Sequence, residues 1–584
     1  MRKWKLSTVL FLVILLAASG CGHSHKETTK DPRFAEVDKL FADWDKPETP
    51  GCVVGVIENG KLLYTKGYGL ANLDYDIPMT PRSVVYIAST SKQFTAACVA
   101  LLIQKGELSY EDDIRKYFPE IADYGIPIKV KNLIHHTSGI SDYLGLMELA
   151  GLSFEDYFNN DTALEWIFRQ KALNFEPGEK FIYSNSGYVL MAELVKRVSG
   201  KTLRQFAEVN IFGPLGMTDS HFNDDRSEVV KNRVISYRLI DEEEKKETEK
   251  EIEKSEAEKG KKEAKGYKQF LKNFDAVGDG DLLTTVEDLH KWDQNFYQQK
   301  VGGPEFTDLM LTRGKLNDGQ ELDYAFGLFH GEYKGLKTVS HGGGMLGFRT
   351  EMLRFPEQRF TVICLSNLAN FDPIDRCKKV ADIFLAGLFK EEMKPEPKEA
   401  KKEASTVMVD PAILDSYVGK YKMDIGPVII VTREFDRLFI EPSGQPKMKL
   451  KSLSDTDFVN EKSGAEMSFH KDKDSGNIRI DVRIGGMNLT AEKITITPPD
   501  LEQLREYVGE YYNDELDTTY ALMLVDGKMM VRVRKNPPLQ LEMTDADAFA
   551  SSRFKLIFDR NAENRIAGFT LDAGRVQNLK FALK

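Results

Sequence analysis

Cysteine is scarce in this chain of 584 residues: there are five. That excludes a disulfide framework as the basis of the fold. The nine histidines and five cysteines form no set with structural-zinc spacing. Excess positive charge is also missing, since Lys plus Arg number 80 against 91 Asp plus Glu and the net charge is -11. A field of that sign repels phosphate backbones and argues against a nucleic-acid partner. Long apolar runs are confined to the extreme N-terminus. The hydrophobic fraction of 41% with 29% charged residues is otherwise ordinary globular composition. The length suggests roughly three or four domains at about 150 residues each.

The apolar N-terminal run is itself informative. Met1-Arg2-Lys3-Trp4-Lys5 is basic, and residues 6–18 are almost continuously apolar, too short for the roughly 20 residues of a bilayer span. Ala18-Ser19-Gly20-Cys21 follows and resembles the lipobox of bacterial lipoproteins, with Ala18 where Leu is usual. The resemblance implies a signal peptide over residues 1–21 and a lipid anchor on Cys21, the only membrane contact expected. With Gly22 next, the anchored protein is expected in the cell envelope, on the outer membrane facing the periplasm. A plain cleaved signal with a periplasmic or secreted product is the alternative. Of the other cysteines, Cys98 and Cys364 read as small core residues, while Cys52 and Cys377 have a pairing that spacing leaves open.

The C-terminal part repeats itself. Leu414-Asp415-Ser416-Tyr417-Val418-Gly419-Lys420-Tyr421 is matched by Leu504-Arg505-Glu506-Tyr507-Val508-Gly509-Glu510-Tyr511. Asp455-Thr456-Asp457-Phe458 is echoed by Asp545-Ala546-Asp547 and Phe549. Short alternating segments between these marks predict two antiparallel β-barrel-like domains, 409–499 and 500–584. A charged, Pro-containing stretch, 391–408, reads as a linker. Before it, one domain of mixed strand and helix runs over 32–390. It opens with an Asn59-Gly60 hairpin and is interrupted at 241–265 by a Glu/Lys-dense insertion. Thr285 and Asp372-Pro373 predict helix starts.

Three short patterns carry chemistry. Ser89 and Lys92 stand three apart at the head of an apolar helix, a spacing that stacks both side chains on one face. A hydroxyl becomes a useful nucleophile when a neighbour accepts its proton, and helix-start N–H groups can hold an oxyanion. Ser468/Lys471 and Ser552/Lys555 share the spacing but fall in the β repeats. Tyr183-Ser184-Asn185 offers a phenol and an amide, although Tyr157/Asn159 and Tyr511/Asn513 share that pattern too. His341-Gly342-Gly343-Gly344 precedes a strand-like run, and its glycines leave backbone exposed.

Read together, Ile87-Ala88-Ser89-Thr90-Ser91-Lys92, Leu133-Ile134-His135-His136-Thr137-Ser138-Gly139-Ile140, Tyr183-Ser184-Asn185, Gly278-Asp279-Gly280-Asp281-Leu282-Leu283 and His341-Gly342-Gly343 occur in the order of the serine β-lactamase and penicillin-binding superfamily. They are similar to its class C-like branch. The resemblance covers about 32–390 and implies an α+β fold: an antiparallel sheet flanked by helices, with a helical subdomain. It implies that Ser89 is acylated and that Lys92 and Tyr183 relay its proton. Asn185 would bind the substrate amide, and His341, Gly343 and the backbone N–H groups of Ser89 and Gly344 would line the oxyanion side. His135 and His136 read as structural, and neither metal nor organic cofactor is implied.

His341 stands where many relatives have the Lys of Lys-Thr-Gly. An ordinary imidazole is mostly neutral at pH 7, which weakens binding of a β-lactam or peptide carboxylate. That departure, with two trailing barrels, resembles the D-aminopeptidases, D-amino-acid amidases and esterases of the superfamily. The expected activity is therefore an exported serine hydrolase acting on an amide or ester, with peptides containing D-residues or small esters as substrates. A β-lactamase or D-Ala-D-Ala carboxypeptidase is one alternative, and a catalytically silent peptide or cell-wall sensor is another. Nothing in the sequence weighs a protein partner for the barrels.

Overall fold

The computed structural model describes residues 31–153, 155–240, 266–389, 409–423, 428–442, 447–460, 463–472, 476–484, 487–494 and 500–584. The expected signal and Cys21, the insertion 241–265 and the linker 391–408 lie outside the described residues.

The Asn59-Gly60 hairpin is present as β1 (Cys52–Glu58) and β2 (Lys61–Tyr68). Both turn residues have positive φ, 52° and 80°, which a tight two-residue turn requires. Four later strands complete the sheet: β3 (Phe329–Tyr333), β4 (Leu336–Met345), β5 (Phe348–Phe355) and β6 (Phe360–Ser366). Their order is β3-β4-β5-β6-β1-β2, with every neighbouring pair antiparallel.

Strand periodicity divides the sheet into two buried faces. Cys52, Val54, Val56, Val362 and Cys364 pack under α1 (Arg33–Phe41) and α6 (Pro373–Leu385). Val53, Ile57, Ile363 and Leu365 pack under α5 (Val286–Gln298) and the helical half of the domain. Cys52, Cys98, Cys364 and Cys377 are all buried and free, so the pairing left open for Cys52 and Cys377 is not made. The predicted caps are in place. Thr285 Oγ1 accepts the Asp288 N–H at 3.2 Å, and Asp372 Oδ1 accepts the Asp375 N–H at 3.0 Å ahead of α6.

In the helical half, α2 (Lys92–Gln104) runs through the centre, buried from Lys92 to Leu102. Beside it stand α3 (Tyr143–Leu149) and α4 (Asn185–Ser199). So complete a burial leaves no polar stripe, so the one lysine it encloses must find its acceptors inside the protein.

The C-terminal repeats are two nine-stranded antiparallel sheets of identical topology. Each nearly closes on itself. The edge strands Met448–Lys449 and Lys451–Ser452 flank Leu450 alone, and Leu539–Gln540 and Glu542–Asp545 flank Leu541 alone. The repeated tyrosines make the same bond in both copies: Tyr421 donates to the Tyr417 carbonyl at 2.8 Å and Tyr511 to the Tyr507 carbonyl at 2.9 Å. The two barrels differ in placement. The core of the second is continuous with that of the N-terminal α+β body, whereas the first has a core of its own.

Gly55 of β1 shows how tightly α5 is seated. A Cβ at this position would lie 2.3 Å from Val286 Cγ1. Gly55→Ala is expected to cost about 1–3 kcal/mol through overpacking, and Val286→Ala in the same chain to recover part of that loss. A double-mutant cycle on thermal or urea unfolding measures the coupling.

Candidate active site

Ser89 lies on a single 3-10 turn, Ala88–Ser91, that leads into α2. In a 3-10 turn residues i and i+3 eclipse, so Ser-x-x-Lys superimposes its side chains more closely than an α-helix would. Ser89 Oγ is 3.1 Å from Lys92 Nζ. Ala88 just before it has φ +48°, a left-handed conformation that costs of order 1–3 kcal/mol in a residue other than glycine.

Distant segments hold this turn in place. Thr350 Oγ1 donates to the Ile87 carbonyl at 2.9 Å, and Thr90 Oγ1 to the His341 carbonyl at 3.1 Å. Ser91 Oγ accepts the Leu282 N–H at 3.1 Å. Gly343 is required by contact: a Cβ there would stand 2.2 Å from the Ile87 carbonyl oxygen and 2.4 Å from Thr350 Oγ1. The His341 and Gly278 phrases therefore build the walls of the turn that carries Ser89.

Lys92 is fully buried. Its Nζ reaches Ser89 Oγ at 3.1 Å, Asn185 Oδ1 at 2.9 Å and the carbonyl of Asp279 at short range. Three acceptors match the three donors of an ammonium group, and none of them is a carboxylate. Asn185 opens α4 and is held there by Asp142, whose Oδ2 accepts its N–H at 2.7 Å. Asp142 Oδ1 meanwhile caps α3 through the N–H groups of Leu144 and Gly145.

Tyr183 comes to the same place by its ring rather than its hydroxyl. The ring centroid is 5.0 Å from Lys92 Nζ, but the hydroxyl is buried and hydrogen-bonds to neither Ser89 nor Lys92. Two further groups lie against the ring. His136 lies 4.2 Å away, centroid to centroid, and the guanidinium of Arg575, from the second barrel, stands 4.8 Å from its centre. Such bonds often form only once substrate is bound. His135 turns the other way, towards Tyr110 and Phe326. No group of three or more His, Cys, Asp or Glu side chains placed to hold a metal occurs among the described residues.

His341 is buried beside Lys92. Burial, then the charge of Lys92, pushes its pKa down to about 3. Its Nδ1 lies 2.7 Å from the Gly342 carbonyl, and its Nε2 is 3.4 Å from the Tyr324 hydroxyl. That pattern suits a neutral ring with the proton on Nδ1. Ser89, Tyr183, Asn185, His341, Gly343 and Gly344 line one cleft of about 1230 Å³, with Phe181, Phe270 and Phe329 on its apolar rim.

Residues 37–383 match the family model described as Beta-lactamase. The chain belongs to the Beta-lactamase family. Penicillin-binding protein 4* of Bacillus subtilis (strain 168) is 31% identical over 434 residues, which is 74% of this chain and 92% of that protein. A D-aminopeptidase of Brucella anthropi is 23% identical over 561 residues, 91% of this chain and 95% of that enzyme. The structure of the octameric penicillin-binding protein homologue from Pyrococcus abyssi aligns with a TM-score of 0.51 at 22% identity, covering 78% of this chain and 99% of that one. Membership of the Beta-lactamase family makes the chain a serine hydrolase.

Within this Beta-lactamase-family site, sequence reasoning missed three residues. Asp142 was open to detection as a helix cap ahead of Tyr143. Asp279, whose carboxyl burial pushes up to about 6, stands in a quoted phrase but has no chemical signature of its own. Arg575 gives no local signal at all.

An imidazole kept neutral down to about pH 3 in the folded chain is protonated first in the unfolded one. Its contribution to stability is therefore complete above about pH 6.5 and is lost as pH falls towards 3. Compared with His341→Gln, the wild-type protein should lose at least about 1 kcal/mol more across that window, measured as the difference between their urea-unfolding free energies at each pH.

Proposed function

We propose that the protein is an exported, lipid-anchored hydrolase that forms an acyl-enzyme at Ser89 on an amide or ester, with peptides containing D-residues and small esters as its substrate classes. The observation that carries this reading is the 3.1 Å approach of the fully buried Lys92 Nζ to Ser89 Oγ at the wall of the cleft. Ser89 Oγ attacks the substrate carbonyl as its proton passes to Lys92 Nζ in the neutral amine form, whose lone pair accepts it. The Tyr183 hydroxyl, lacking a partner in the free protein, takes its place in the relay once substrate fills the cleft, and the proton leaves with the amine or alcohol.

The backbone N–H groups of Ser89 and Gly344 receive the oxyanion. Asn185, whose oxygen is engaged by Lys92, presents its amide N–H groups to the substrate carbonyl. Water then attacks the ester on Ser89 and the acid departs. These steps use no metal or organic cofactor. A neutral His341 supports an aminopeptidase, amidase or esterase reading over a β-lactamase, because the Lys-Thr-Gly cation is missing. The D-aminopeptidase names among the relatives point the same way.

Ser89→Ala is expected to lower kcat by at least about 10⁴-fold on D-aminoacyl amides and p-nitrophenyl esters. It should also abolish labelling by a fluorophosphonate while the circular dichroism spectrum stays unchanged. Turnover by that variant at the wild-type rate would sink the reading. For the export half of the proposal, Cys21→Ser should eliminate incorporation of labelled palmitate and shift the protein from the membrane pellet to the soluble fraction. A wild-type protein that takes up no label returns the question to a plain cleaved signal.

A further inference from the structure

The two barrels share a topology but differ in sequence at one connection between strands. In the first barrel, strands Ile478–Ile484 and Met487–Ile494 are joined by Gly485-Gly486. In the second, β7 (Ile566–Ala573) and β8 (Val576–Leu583) are joined by Gly574-Arg575. This second tip is fastened to the catalytic body through its backbone. The Arg575 carbonyl accepts from Asn174 Nδ2 at 2.9 Å and from the Asp142 N–H at 3.3 Å, and Asn174 Oδ1 accepts the Gln577 N–H at 2.7 Å. Val576 is fully buried against Gly145 of α3, where a Cβ would stand 2.9 Å from Val576 Cγ2. None of these fastenings uses the Arg575 side chain.

That side chain points elsewhere. It lines the cleft with Ser89, its guanidinium lies over the Tyr183 ring, and half of its surface is exposed. Its nearest carboxylate, Asp142 Oδ2, is 3.8 Å from Nη1 and already accepts the Asn185 N–H. Of the other basic groups on the cleft wall, Arg349 gives Nη1 to the Leu346 and Phe348 carbonyls, and Lys378 stands on α6. Burial and Lys92 keep His341 neutral. The acids on the wall are Asp142, Glu148, Asp279, Glu332 and Glu351. Burial holds Asp279 and Glu351 up at about 6 and 8, and Glu148 pairs with Arg553.

We infer that Arg575 is a specificity-determining residue: it binds a carboxylate carried by the substrate, so that the second barrel completes the active site and selects anionic substrates over those with a free amine at that position. A stacked guanidinium is pre-ordered for two-pronged binding of a carboxylate. This inference rests on the proposed acyl-enzyme reading and deepens it. The carboxylate can sit on the acyl side or on the leaving group, and the test separates the two.

In the full-length protein, N-succinyl-D-alanine p-nitroanilide is compared with the N-propionyl compound and with D-alanine p-nitroanilide. N-acetyl-D-alanyl-D-alanine is compared with its C-terminal amide. The expected result is a kcat/KM ratio of carboxylate over neutral partner of at least about tenfold in one of the pairs. Arg575→Ala should bring that ratio to within about threefold of unity, Arg575→Lys should keep only part of it because a point charge lacks the two-pronged fork, and Arg575→Glu should turn the preference towards the free amine. A ratio equal in wild type and Arg575→Ala in both pairs overturns the inference; a wild-type preference for the free amine in the acyl-side series, with no carboxylate preference in the leaving-group pair, overturns it as well. A binding measurement free of turnover accompanies this: calorimetry of N-succinyl-D-alanine against N-propionyl-D-alanine on Ser89→Ala with and without Arg575→Ala. It should show the same selective loss, and equal binding by the two proteins counts against Arg575. Fluorophosphonate labelling of Ser89 in the wild-type protein reports separately on the acyl-enzyme reading.

Discussion

The structure around the cleft depends on the burial of one amine. Lys92 sits in the first turn of a helix that is buried from Lys92 to Leu102, and removing an amine from water without acceptors costs several kcal/mol. Its acceptors come from three separate parts of the chain: the Ser89 turn, the first residue of α4 and the Gly278-Asp279-Gly280 loop. Satisfying Lys92 therefore fixes the relative positions of nucleophile, amide and loop in a single step. The positive φ of Ala88 persists because the same neighbours clamp the turn from outside, through Thr90, Thr350 and the Leu282 N–H.

What was legible in the sequence shares one property: its signal is local. Asn59-Gly60 dictates its own turn, Thr285 and Asp372 cap the helices they begin, and Tyr417/Tyr421 and Tyr507/Tyr511 declare a repeat because each pair closes its own hydrogen bond within one copy. Ser89 and Lys92 were visible for the same reason, being one turn apart. The position of the Tyr183 hydroxyl was not legible, because it depends on ring contacts with His136 and Arg575. Neither the 3.6-residue nor the two-residue period carries information about a ring in contact with segments so far apart in sequence. Asp142 lies between these cases: its capping role was local, but its grip on Asn185 was not.

The barrels show how one fold can be used twice with different outcomes. Both keep the tyrosine bond and the buried leucine at the closing edge, so the same internal forces stabilise each. Their outer surfaces differ. The second barrel places Thr518 and Tyr520 against the Ala150 and Leu149 carbonyls and buries Val576 against α3, merging its core with that of the catalytic body. Polar backbone atoms at the end of α3 are thereby satisfied by a neighbouring unit rather than by water, which ties the second barrel's position to a helix whose first residues stand at the cleft.

The attachment of the last hairpin also separates position from chemistry. Because its tip is held by backbone carbonyl and amide groups and by the Val576 side chain, the residue at Arg575 can change without loosening the joint. At the opposite wall, His341 is hemmed in by Lys92, Tyr324 and its own neighbouring carbonyl. A charge introduced there would have to be buried beside an existing amine. The cost of placing a cation is thus high at position 341 and low at position 575, where half of the Arg575 side chain meets solvent. Position 341 therefore offers a neutral ring to the cleft, whereas position 575 carries a charge into it at little cost.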